Sequence, residues 1–170
     1  MSDIGDALWN TGVGPSDYSE ANDRYQQAVL DQYKLCVEMA DRVSSRRNLT
    51  NTFFLSLNSA VVAVVAAVSD RTVADMSVLL LLAGLVILLA QCAAWYIMVR
   101  SYRQLNTAKY EVIGAFEERL PAFAYSRAEW GALGEGRDWR KYLRLTHVEQ
   151  WVPVVFAASY LLGFCALAAR

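Results

Sequence analysis

Residues that carry chemistry are scarce in this chain. It has one histidine, His147, and three cysteines, Cys36, Cys92 and Cys165, far apart and odd in number. A hydrolase, transferase or metalloenzyme needs a nucleophile with a base, a paired carboxylate, or clustered His and Cys ligands. The sequence offers no such grouping, so the chain is expected not to be an enzyme and to use no cofactor and no metal. His147 reads first as a polar residue at a helix start, with pH sensing as the alternative. The cysteines do not support a disulfide framework; two of them sit in apolar stretches and act as small apolar residues. Gly131, Gly134 and Gly136 are not followed by Lys-Ser/Thr, which removes a phosphate-binding loop. Basic clusters are missing too. Arg46-Arg47 and Arg140-Lys141 are only pairs, and the net charge is -1, so nucleic acid is not an expected partner.

Charge is most conspicuously absent from three long stretches. Residues 53–68, 76–99 and 151–169 contain no Lys, Arg, Asp or Glu, and about 20 apolar residues in a helix are what a bilayer core requires. The second is the clearest, with Leu79 to Leu82 in a row and Leu85 to Ala90 behind. The first is shorter and carries Ser56, Asn58 and Ser59, but its neighbour across the short link 69–75 makes it half of a transmembrane hairpin. The third contains Pro153, which is tolerated in a first turn and costly in a helix interior, so its helix is expected to start just before that residue. Thr146 and Glu149 form a capping box there, and Trp151 suits the headgroup level. The expected fold is an all-α integral membrane protein with three transmembrane helices.

Cations near span ends are retained on the cytoplasmic side. Arg24, Lys34, Arg42, Arg46 and Arg47 precede the first span, and nine Lys and Arg lie between residues 100 and 150. The link 69–75 has only Arg71, flanked by Asp70 and Asp75. The N-terminus and the 100–150 region are thus expected in the cytoplasm of a bacterial inner membrane, with the C-terminus outside. Arg46, Arg47, Arg100, Arg103 and Trp151 are the expected interface anchors, against membrane lipids. The first residues are polar and acidic, without the pattern of a cleavable signal, so the first span is expected to act as its own insertion signal. The eight acids against five bases in residues 1–50, and seven against nine in 100–150, make the two polar pieces mildly complementary.

Both polar pieces read as helices. Tyr25, Val29, Tyr33, Cys36, Val37, Ala40 and Val43 recur at steps of three and four, one stripe of an amphipathic helix over 17–50 that runs unbroken into the first span at 51–68. Tyr102, Leu105, Ala108, Val112, Phe116 and Leu120 form a second stripe, extending the second span through 100–120 until Pro121 stops it. One helix approaches the membrane and the other leaves it, so an antiparallel cytoplasmic stalk with its stripes facing is expected. Two such helices make a thin core, which favours self-association. Residues 1–16 read as a flexible tail. The region 121–146 reads as short helices and turns, with a capping box at Ser126 and Glu129 and with aromatics including Trp130, Trp139 and Tyr142. The third span covers 147–169.

Polar residues in the spans are the best candidates for function. At 100° per residue, Asn51, Thr52, Ser56, Asn58 and Ser59 fall within an arc of roughly 160°. Polar groups must be satisfied inside hydrocarbon, so this face either bonds neighbouring helices or lines water in an oligomeric pore. Gln91 poses the same choice. Gly84 and Gly163, with Ala83 and Ser159, permit close helix approach.

These segments carry a resemblance. Residues 33–47, YKLCVEMADRVSSRR, leading to Asn51 through Ala60, together with Tyr102-Arg103-Gln104-Leu105-Asn106-Thr107-Ala108-Lys109, Arg119-Leu120-Pro121, Glu129-Trp130-Gly131-Ala132-Leu133-Gly134 and Thr146-His147-Val148-Glu149 to Pro153, resemble the RipA family of small bacterial octameric membrane proteins. That resemblance implies a homo-oligomeric inner-membrane protein, an octamer by the family's name; composition and spacing set no stoichiometry. More distantly, the chain is similar to the two-span effector domains of antiphage systems known as SLATT, which implies pore formation. It is expected to depart from them by its third span and by the lack of an attached sensor domain. Two functions of different class follow: a membrane-anchored scaffold acting through its cytoplasmic helices, its protein partner unknown, or an oligomeric channel or pore lined by the first span.

Overall fold

The computed structural model describes residues 10–12, 16, 23–67, 77–137, 140 and 145–169. Its α-helices are α1 (Asp23–Ala67), α2 (Val78–Glu117), α3 (Trp130–Ala132) and α4 (Leu145–Ala168), with a π-helical turn at Ala124–Glu129 and a 3-10 turn at Gly134–Gly136. No strand occurs among the described residues, so the protein is all-helical. Helices α1, α2 and α4 are each long and apolar enough to cross a membrane; a helix satisfies its backbone groups internally, as hydrocarbon requires. With no Gly or Pro to break it, α1 runs through 45 residues. The link 69–75, the segment 141–144, Trp139 and most of the tail 1–16 lie outside the described residues.

The chain divides into two compact units, one of Met1–Ser45 and Arg103–Arg144, the other of Arg46–Tyr102 and Leu145–Arg170. In the first, polar unit, α1 and α2 run antiparallel. Asn106 Nδ2 donates to Ser44 Oγ at 3.1 Å, and Tyr33 Oη donates to a Glu117 carboxylate oxygen at 3.1 Å. Arg119 donates to Tyr25 Oη at 2.7 Å. Ala40, Val43, Ile113, Leu120, Phe123 and Ala128 form the apolar core.

On α1 the buried positions follow the expected stripe, except that Tyr25 is exposed. On α2 they do not. Ile113 and Glu117 are buried, whereas Leu105 and Val112 are 46% and 49% exposed. The stripe has turned to the side, and the inner face carries Asn106, whose Nδ2 bonds Ser44, and Glu117, whose loss of partners would cost more than a neutral hydrogen bond gains. Helix α2 stops at Glu117, ahead of Pro121. The turn that follows it is held from afar: Asn10 Nδ2 donates to the Glu118 and Leu120 carbonyls at 3.0 and 3.1 Å, and the Asn10 N–H to that of Pro121 at 2.8 Å.

The segment after Pro121 folds back on α2. A Cβ on Gly114 would meet the Ser126 Cβ at 3.3 Å, which marks how close the two backbones run. The Ala128 N–H bonds the Phe123 carbonyl at 3.0 Å, a π-type step. Arg127 stacks 3.8 Å from the Phe123 ring centroid. The expected Ser126–Glu129 capping box does not form: the turn has no side-chain cap of its own, and Ser126 turns to Glu117 instead. Gly134, Glu135 and Gly136 all have positive φ, at 64°, 54° and 66°, a left-handed turn that two glycines make affordable.

In the second unit α1, α2 and α4 pack through Asn58, Cys92, Trp95, Val99 and Pro153, all buried. Pro153 lies inside α4 rather than in its first turn, because that helix already begins at Leu145. Thr146 is therefore within the helix, and the side chains of residues 145–147, His147 included, lie outside the described residues. Phe53, Leu55, Val64, Leu79, Ile87 and Leu162 point outward and are exposed.

Candidate functional site

The span unit is built around an aromatic stack with a polar seam. Trp95, 2% exposed, stacks on Phe54 at 5.6 Å between centroids with an interplanar angle of 9°. Phe156 approaches it at 6.1 Å, and Tyr160 lies 6.2 Å beyond. Indole N–H and phenol O–H groups need acceptors when buried, and α1 supplies both. Trp95 Nε1 donates to Asn51 Oδ1 at 2.9 Å. Tyr160 Oη donates to Asn58 Oδ1 at 2.8 Å, while Asn58 Nδ2 returns to the Phe54 carbonyl at 2.8 Å. Cys92 Sγ lies 3.9 Å from the same Asn58 oxygen. Asn58 is thus a joint between α1, α2 and α4, fully buried at 0% exposure.

The expected polar arc is therefore divided. Asn51 and Asn58 turn inward and are spent on bonds within the unit. Thr52, Ser56 and Ser59 are exposed and make one hydroxyl-bearing face of α1. Gln91 is partly buried, and its Nε2 is enclosed without a hydrogen-bond partner among the described residues. Gly84 and Gly163 meet nothing within 4 Å of an added Cβ, so the close approach they permit is not used among the described residues.

Of the expected anchors, Arg46 and Arg100 are exposed, Arg103 is half-buried and Trp151 is 66% exposed. Arg47 has another task. Its Nε lies 3.5 Å from Glu149 Oε2, with both side chains about one fifth exposed or less. Glu149 thus pairs with α1, where the sequence pattern had assigned it to a capping box.

The polar unit contains the group that sequence reasoning missed. Glu117 is 0% exposed, yet each of its oxygens is satisfied. One accepts from Tyr33 Oη at 3.1 Å and from the Tyr125 N–H at 2.9 Å; the other accepts from the Ser126 N–H at 2.9 Å and from Ser126 Oγ. The last residue of α2 thereby clamps α1 on one side and the π turn on the other. Burial, and next the Glu117 charge and its hydrogen bond, push the Tyr33 phenol well above its usual range. An acid inside an amphipathic pattern, between Phe116 and Leu120, was the available signal.

Chemically these arrangements bond helices to one another. No group of three His, Cys, Asp or Glu that could hold a metal occurs among the described residues, and the three cysteines are free thiols. The sequence model of the octameric membrane protein family (8xMP) matches residues 30–169. No curated protein and no solved structure matches the chain.

Proposed function

Since this chain belongs to the octameric membrane protein family, we propose that it assembles as a homo-octamer in the bacterial inner membrane and acts there without catalysis, as a membrane-anchored scaffold. Its polar unit lies in the cytoplasm in this reading, on the side where Arg46, Arg47, Arg100 and Arg103 hold it. The observation that carries the scaffold is the Glu117 clamp. A buried carboxylate with four hydrogen-bond donors is costly to desolvate and is retained where one arrangement of helix and turn has to be held. The unit is then a shaped surface of its own, presented to protein partners, rather than a passive extension of the spans.

A second reading has its own support. Thr52, Ser56 and Ser59 form a hydroxyl-bearing face on α1 that the protomer leaves exposed, and in a ring this face lines either a neighbour or water. Light scattering of the detergent-solubilised protein, with detergent subtracted, tests the common premise: a monomer would sink both readings. An oligomer is then reconstituted in liposomes. No ion flux supports the scaffold; a flux that Ser56→Leu lowers supports a pore.

A further inference from the structure

The side of the polar unit left uncovered by α2's rotated stripe is an open groove of about 300 Å³ lined by Leu35, Cys36, Met39, Ala108, Lys109 and Val112. Leu35 is 57% exposed, Met39 40% and Val112 49%. Lipid does not suit this face, because the exposed pair Arg42–Glu38 borders it, Arg42 standing two turns from Leu35 on the same side of α1. We propose that the groove seats a second copy of this chain, with Lys109 at its wall meeting Asp41 of the neighbour. The proposal rests on the octameric reading above and adds to it the contacting faces.

Copies inserted by the same signals share one orientation in the membrane, so an octamer of them closes about a single axis along the membrane normal. Such a ring is heterologous: each chain offers two different faces, and equivalent residues stand at equal height. The bonds Ser44–Asn106 and Tyr33–Glu117 set an antiparallel register in which the two residue numbers add to 150 in both cases. Lys109 is then level with Asp41 of its own α1. On that helix Asp41 is turned about 200° from Met39, on the flank away from the groove, where it is exposed together with Leu30. Neither Lys109 nor Asp41 has an ion-pair partner among the described residues. A groove with a cation therefore faces, at the same height in the next copy, a flank with an anion, and complementary charge selects partner and register.

The full-length protein in mild detergent tests this by light scattering over a dilution series. Lys109→Glu and Asp41→Lys should each raise the concentration at which the oligomer dissociates by tenfold or more, and the double variant should restore it. Single variants that dissociate as the wild type does, or a double variant no better than the singles, overturn the interface while leaving the oligomer standing. A monomeric wild type overturns the octameric reading itself. A measurement needing no interface variant runs alongside, in a Cys92→Ala, Cys165→Ala background. Cys36 should react with a polar maleimide at least tenfold more slowly in the oligomeric fraction than in the dissociated one, and equal rates overturn the proposal.

Discussion

Replacing Glu117 by Ala should release the segment that follows α2 while leaving the spans intact. The carboxylate accepts hydrogen bonds from Tyr33, from the N–H groups of Tyr125 and Ser126, and from the Ser126 hydroxyl. In the Ala variant the two backbone N–H groups lose their acceptor, and each such donor costs about 1 to 3 kcal/mol where water cannot reach it. Allowing for relaxation, the local penalty is about 3 kcal/mol. Since 1.4 kcal/mol is about a factor of ten, the open population of the segment should rise roughly a hundredfold. Trypsin reads this directly, because Arg119 and Arg127 are exposed basic sites beside and within the π turn, and cleavage tracks the open population when opening and closing are fast. Glu117→Gln keeps one acceptor oxygen and should fall between, near tenfold. Cleavage at Arg127 in the Ala variant within threefold of wild type would refute the clamp.

Other outcomes follow from the same contacts. The Tyr33 phenol is raised, first by burial and then by Glu117, so the folded state holds that proton more tightly than the unfolded one. Stability should be flat in this respect below about pH 10, the unfolded value, and fall as pH rises above it; the difference between the thermal melts of wild type and Tyr33→Phe should be constant below that pH and change only in the alkaline range. Asn58→Leu strips Tyr160 of its acceptor and should cost about 1 to 2 kcal/mol in denaturant titrations of the detergent-solubilised protein, whereas Ser56→Leu, at an exposed position, should leave protomer stability within about 0.5 kcal/mol. Gln91→Met removes an enclosed, unpartnered amide nitrogen and should raise the melting temperature by a few degrees or leave it unchanged; a large drop would mean that Gln91 bonds a group in a neighbouring copy.

How much was legible can be judged residue by residue. The three spans and the unbroken α1 were, because a charge-free run of bilayer length admits few alternatives to a helix. The α1 stripe was legible for the same kind of reason: Ala40 and Val43 lie where a 3.6-residue period puts them. The α2 stripe was not, since Leu105, Ala108 and Val112 keep a faultless helical spacing and still turn sideways. Their orientation is decided by Asn106 and Glu117, whose partners Ser44 and Tyr33 stand more than sixty residues away. The division of the polar arc was not legible either. Asn51 and Asn58 share an arc with Thr52 and Ser56, yet only the asparagines point to Trp95 and Tyr160.

By itself, then, the sequence determined the helical class, the three membrane-capable segments and the poverty of catalytic groups, because hydropathy and periodicity are local properties summed along the chain. Which polar side chains are consumed internally, which apolar face is left uncovered, and how the chain turns after α2 were decided only by tertiary structure. A hydrogen bond between distant residues is set by the relative rotation of two helices, and rotation has no local signature.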